Sequence, residues 1–164
     1  MKSDIAPILA IGIGQRLRQD DGVGPAVAAK LRGAGLTAVE HSGEGMGLIE
    51  LWGGRQLVFV IDATRFGDGG GTVRRFDAAE TVFGPDIFRC SSHSFGLAQA
   101  IETARALGRL PARLIVYGIE GDRFGFGESL SQRVAAAADD VAARIAEEFK
   151  AAAAALARSD DARL

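Results

Sequence analysis

The chain has 164 residues and a formal net charge of -2, enough for one domain with one sizeable core and without the basic excess of a general polyanion binder. No run of Lys and Arg forms a nucleic-acid stripe, and the single cysteine excludes an internal disulfide framework and suits a reducing compartment. The apolar stretch near the start carries Asp4 and is too short to span a bilayer, so it reads as a strand rather than a signal peptide or anchor.

Residues 8–14, ILAIGIG, form a short apolar run closed by glycine, the pattern of a buried strand. The segment GIGQRLRQDDGVG at 12–24 is a glycine-rich loop that leads into a helix. Pro25 suits the first helical turn, Val27 and Leu31 supply a buried stripe, and Gly33 and Gly35 are stops. LTAVEH predicts a second strand, and 46–53 a short helix packed through Met46, Leu48, Ile49 and Trp52. QLVFVIDA at 56–63 is the strongest strand signal and is closed by Asp62. A shorter strand at 72–77 is expected to be antiparallel and at an edge, because Arg74 and Arg75 need solvent or partners.

Leu97, Ile101, Ala104 and Leu107 recur at helical spacing and predict a helix over 95–108, followed by a buried strand in ARLIVYGIE. Ser131 is a candidate N-cap for a long amphipathic helix marked by Val134, Ala138, Val141, Ile145 and Phe149. The alanine-rich residues 151–164 extend that helix or fray, which leaves the domain itself at 1–150. Strands alternating with helices predict a single α/β/α domain, and such folds bind ligands beyond the carboxyl ends of parallel strands. The 14–24 loop, Asp62 and the 91–96 segment are candidates for that rim.

The first loop resembles a phosphate cradle only superficially. A G-x-G-x-x-G pattern starting at Gly12 requires glycine where the chain has Leu17, and no G-K-[ST] follows. Glu40 imitates a ribose-binding acid only weakly. Asp20 and Asp21 bring negative charge to a helix N-terminus, where a phosphate would be repelled unless a cation lay between. Asp21 is therefore a candidate metal-facing carboxylate or a helix cap, and Asp20 reads as an outward helix-capping acid, with a general base as the alternative. Asp62 is a ligand or a loop-orienting strand end, and His93 a ligand or a capping histidine. Together the three offer an O,O,N donor set that suits nickel, zinc, iron or manganese.

Familiar protease motifs are missing: no G-x-S-x-G elbow, no H-E-x-x-H, and no credible nucleophile arrangement for Cys90 with His93. Cys90 reads as a small hydrophobe or an added sulfur ligand. His41 either faces the crevice or caps the next turn. Gly43, Gly45 and Gly47 give sharp turns or close approach of a substrate backbone. Of Phe66, Phe83, Phe88, Phe124 and Phe126, most are expected to be packing anchors, with one or two exposed.

ILAIGIGQRLRQDDGVGP, SGEGMGLIELW, LVFVIDA, SSHSFGL and LIVYGIEGD, with the final helix LSQRVAAAADDV, occur in an order that resembles the nickel–iron hydrogenase maturation proteases over most of residues 7–149. The resemblance implies a twisted, mostly parallel five-stranded sheet in a three-layer domain. It also implies an aspartyl protease-like hydrolase, cytoplasmic, that removes the C-terminal extension of the hydrogenase large-subunit precursor. Asp21, Asp62 and His93 then carry both the metal and the catalytic roles, the nickel being supplied by the precursor. Other maturation factors are further candidate partners; nucleic acid and membrane insertion are not expected. Gln15 stands where the family has asparagine, and Gly121 where it often has proline. The alternatives are a nonproteolytic nickel- or nucleotide-binding α/β protein, or another small α/β hydrolase.

Overall fold

The apolar run at the start forms β1 (Ile8–Ile13), every residue of which is buried. The structure, a computed structural model, describes residues 5–84 and 96–162. After β1, a 3-10 turn at Gln19–Gly22 opens directly into α1 (Val23–Gly33). Pro25 lies in the first turn of α1, where a missing N–H costs no hydrogen bond. The helix closes through Gly35, at φ 80°, and a 3.0 Å bond from Leu36 N–H to the Leu31 carbonyl.

The chain continues through β2 (Ala38–His41), α2 (Gly45–Trp52) and β3 (Leu57–Thr64). Then come β4 (Val73–Asp77), α3 (Leu97–Ala106), β5 (Arg113–Glu120) and α4 (Gln132–Asp161). The strands lie in the order β2-β1-β3-β5-β4. All neighbours are parallel except β4, which pairs antiparallel with β5 and leaves Arg74 and Arg75 exposed at the edge. The expected five-stranded α/β sheet and its antiparallel edge are both present.

Strand alternation splits the core between two faces. Ile8, Ala10, Phe59, Ile61, Ile115, Tyr117 and Ile119 pack with α1 and α4. Leu9, Ile11, Ile13, Val58, Val60, Leu114 and Val116 pack with α2 and α3. Burying a side chain of this kind contributes roughly 1.5–3 kcal/mol before the entropy of ordering the chain is charged against it. Because both faces are covered, the central strands are apolar without interruption, which is why sequence periodicity marked them clearly.

One topological feature positions the site. From β1 the chain moves outward to β2, then crosses back over β1 to enter β3. The carboxyl ends of β1 and β3 are thus the place where the connections diverge, and an α/β sheet opens a crevice there.

Candidate active site

The turn after β1 is pressed against the strand ends by glycines. A Cβ on Gly12 would lie 2.1 Å from the Gly24 carbonyl oxygen, and one on Gly14, at φ 140°, 1.9 Å from the Asp21 carbonyl oxygen. On Gly24 it would meet the carbonyl oxygens of Ile13 at 2.2 Å and Ile61 at 2.6 Å. The start of α1 therefore sits between β1 and β3, at a separation that no side chain permits. The glycines that resemble a phosphate loop serve backbone packing.

This packing brings Asp21 to the crevice. Its Oδ2 accepts a 2.8 Å hydrogen bond from Gln15 N–H, and the residue is only partly buried. The contact is made by the Gln15 backbone, so the exchange of asparagine for glutamine leaves it intact. Asp21 does not cap the helix: Gly22 is the N-cap of α1, with no side-chain cap bond.

Asp62 approaches the same point from β3. It is 4% exposed and pairs in register with Gly118 of β5, a neighbour with no side chain to occupy the adjoining space. Alternation along β3 puts it on the face that carries Val58 and Val60, the side of α2 and α3. Burial pushes the Asp62 carboxyl well above the usual carboxylate range, the negative charge of Asp21 pushes it further, and a bond from Ala63 N–H opposes both. Asp21 is thus near enough for its charge to oppose ionisation of Asp62. Two acids so placed gain from an incoming cation, which relieves the desolvation cost and the repulsion together. His93 and Cys90 lie outside the described residues; α3 begins shortly after them, with Gly96 as its N-cap. Among the described residues alone, no three His, Cys, Asp or Glu side chains converge as a metal site.

Asp20 corrects the sequence reading. It does not point outward but is wholly buried, and its carboxylate accepts bonds from Asp122 N–H at 2.9 Å and Arg123 N–H at 2.8 Å. It also accepts from Ser131 N–H at 2.6 Å and the Ser131 hydroxyl at 2.7 Å. Burial opposes its ionisation, but the bonds from Ser131, Arg123 and Asp122 outweigh burial and hold its pKa below the ordinary carboxylate value. Ser131 is the N-cap residue of α4, as the sequence implies, yet its hydroxyl serves Asp20 and makes no cap bond. Gly121 lies in this cluster: a Cβ there would come within 3.0 Å of Asp20 Cβ and 2.4 Å of the Phe124 ring. Its N–H donates to the Thr64 carbonyl at 3.1 Å, a bond that the proline common at this position would remove.

Other candidates are engaged elsewhere. Glu40 is gripped by Arg16 and Arg32, and the Arg16 hydrogen bonds, ahead of the opposing effect of burial and the bond from Arg32, hold its pKa at about 2. It therefore has no ribose-binding role to support. His41 Nδ1 accepts a 3.0 Å bond from Gly43 N–H, which is the turn-capping alternative. Gly47 passes so near His41 that a Cβ would lie 2.9 Å from Nε2; its closeness serves that ring. Phe83 is buried, Arg65 stacks on Phe124 at 3.9 Å, Arg74 stacks on Phe66 at 4.1 Å, and Phe126 is 94% exposed. That matches the expected division between packing anchors and exposed rings among the described phenylalanines.

Sequence reasoning missed Glu120. At the carboxyl end of β5 it is buried and accepts bonds from the Thr64 hydroxyl at 3.1 Å and from Phe66 and Gly67 N–H at 2.7 Å each. It orders the chain just after the strand that carries Asp62. Its only sequence signal is an acid ending an apolar strand, the same signal that singled out Asp62.

The sequence profile of the hydrogenase maturation protease family, HycI, matches residues 37–148, more than half of the chain. The chain belongs to the hydrogenase maturation protease family. Solved structures of such proteins share its fold. The hydrogenase maturating endopeptidase HybD from E. coli superposes with a TM-score of 0.75 at 20% identity, over 90% of this chain and 94% of that one. The [NiFe] hydrogenase maturation protease HybD from Thermococcus kodakarensis gives 0.64 at 24% identity, over 88% and 99%. HycI from Thermococcus kodakarensis gives 0.65 at 24%, over 90% and 95%. No curated protein matches by sequence. Membership in this protease family makes the chain a peptide-bond hydrolase, and no helix among the described residues is long and apolar enough to cross a membrane.

Proposed function

We propose that this protease removes the C-terminal extension of a nickel–iron hydrogenase large-subunit precursor and does so after the precursor has received its nickel. The observation that carries the reading is the buried Asp62 carboxyl beside Asp21 at the divergence of β1 and β3. Asp21 and Asp62, with His93 as the nitrogen donor, form the nickel-facing set. Carboxylate and imidazole donors suit such an ion, and a set of three leaves room for ligands from the precursor. The nickel is then part of the substrate.

In this scheme recognition and positioning are one event. The loaded metal draws the precursor into the crevice, and the peptide following its last metal-binding motif is fixed against the two acids. Asp62, ordinarily reluctant to ionise, becomes able to do so when the cation arrives. An unloaded precursor brings no cation to favour the ionised form of Asp62, so it is not held. Residues 1–150 form the proteolytic domain and 151–164 its alanine-rich extension, and the single cysteine fits a cytoplasmic site of action.

The test compares wild type and His93→Ala on nickel-loaded and nickel-free precursor by intact mass. Loss of the extension only with wild type and nickel-loaded precursor is expected. Equal trimming by both proteins would remove His93 from the site, and equal trimming of both precursors would remove nickel from recognition.

A further inference from the structure

The turn that presents Asp21 is braced from a distant part of the chain. Gln19 N–H donates to the Gly127 carbonyl at 2.8 Å, Gly127 N–H donates to the Leu17 carbonyl at 3.0 Å, and Gly125 N–H donates to Gln19 Oε1 at 3.0 Å. Asp20 N–H donates to the Arg123 carbonyl at 2.9 Å. At the centre of this stitching lies the buried Asp20 carboxylate, with its four accepted bonds from residues 122, 123 and 131.

We propose that Asp20 is a positioning residue: by fastening the 122–131 loop and the start of α4 to the turn, it fixes the direction in which Asp21 offers its carboxylate to nickel. The proposal rests on the reading of Asp21 as nickel-facing.

The chemistry explains why this position holds a carboxylate. Its partners are three backbone N–H groups and a hydroxyl, all able to donate, and an ionised carboxylate accepts throughout. An amide would turn an NH2 toward donors and forfeit part of the set. An apolar residue would leave three backbone N–H groups without their acceptor. The Asp21 backbone is then confined on two sides, by Gly14 against its carbonyl and by Asp20 through the preceding peptide. A bond that only held the loop could come from any position along it. This one comes from the residue adjoining the proposed ligand, where a small rotation of the backbone swings the next side chain.

The experiment measures the dissociation constant of aqueous Ni2+ from the full chain by calorimetry, well below the unfolding temperature, for wild type, Asp20→Asn, Ser131→Ala and Asp21→Ala. Residues that orient a metal ligand typically change affinity about 10- to 100-fold, so Asp20→Asn is expected to weaken Ni2+ at least about tenfold. Ser131→Ala, which removes one bond and keeps Asp20, should weaken it about threefold, an order-of-magnitude expectation scaled from the same effect. The absorption spectrum of bound Co2+ should change in both variants. A lower unfolding temperature with wild-type affinity and spectrum would mean that Asp20 is structural only and would overturn the proposal. If Asp20→Asn does not fold, Ser131→Ala decides alone, and unchanged affinity there is equally fatal. Asp21→Ala separates the two levels: wild-type affinity in that variant overturns the site reading and the positioning role with it. Loss in Asp21→Ala with retention in Asp20→Asn overturns the positioning role alone.

Discussion

The Tyr117 hydroxyl donates a 2.6 Å hydrogen bond to Glu148 Oε1, joining the sheet to the long helix α4. Arg75 of the edge strand closes the group with bonds of 3.2 and 2.8 Å to the two Glu148 oxygens. Burial, then the bond to Glu148, raises the Tyr117 pKa to about 12. Tyr117 is the chain's one tyrosine, so phenolate absorbance reports it alone. The folded pKa lies above the unfolded one, so the neutral hydroxyl stabilises the fold fully below pH ~10, and that stability is lost as pH rises toward about 12. Ultraviolet titration should show a midpoint near 12 in the folded protein and near 10 in denaturant. Tyr117→Phe should cost roughly 1.5–3 kcal/mol at neutral pH and flatten the alkaline loss of stability.

Asp62→Asn should separate stability from activity. Burial and the charge of Asp21 disfavour the ionised native carboxyl, so a neutral amide of similar shape should stabilise the fold by about 0.5–2 kcal/mol. Thermal denaturation at neutral pH should register the gain while processing of the precursor disappears. A destabilised Asp62→Asn would show that the carboxyl serves packing.

Gly24→Ala tests the pressed backbone. Its Cβ would lie 2.2 and 2.6 Å from the carbonyl oxygens of Ile13 and Ile61, which belong to strands and cannot withdraw. Overpacking of this kind costs about 3 kcal/mol or more, and urea denaturation should show a loss of that size. Gly33→Ala, on the same helix with no atom within 4 Å of the new methyl, is the matched control and should be neutral or stabilising.

Glu120→Ala should free the chain beyond β3. The Phe66 and Gly67 N–H groups lose their acceptor, and each part-buried donor left unmatched costs roughly 1–3 kcal/mol unless water reaches it. Hydrogen exchange should accelerate at these two amides first, with the central strands β1 and β5 unchanged. Uniform acceleration across the sheet would mean that Glu120 supports the whole fold rather than this loop.

The sheet was legible because its strands are buried on both faces and therefore apolar without a break, as in LVFVI before Asp62. The edge strand was legible for the opposite reason, since Arg74 and Arg75 have no place inside. Asp21 and Asp62 stood out through their positions after apolar strands. Asp20 could not be read, because adjacent acids look alike in sequence and its partners lie 102 to 111 positions away. Glu40 shows the converse: a plausible ligand-binding acid proves to be held by two arginines, one of them 24 residues distant. His41 was open in sequence because its capping bond depends on the local turn, and only geometry chooses between the two.

Helix α4 starts at the Asp20 cluster and spans 30 residues, about 45 Å. Its later turns reach the opposite pole, where Phe149, Ala153 and Leu156 line a cavity of about 280 Å³ with Ala6, Pro7 and Thr37. An affinity handle or a tether to a solid support attached beyond Asp161 therefore departs from the far end of the molecule. The crevice at the carboxyl ends of β1 and β3 keeps a clear approach, so immobilised enzyme should retain its turnover.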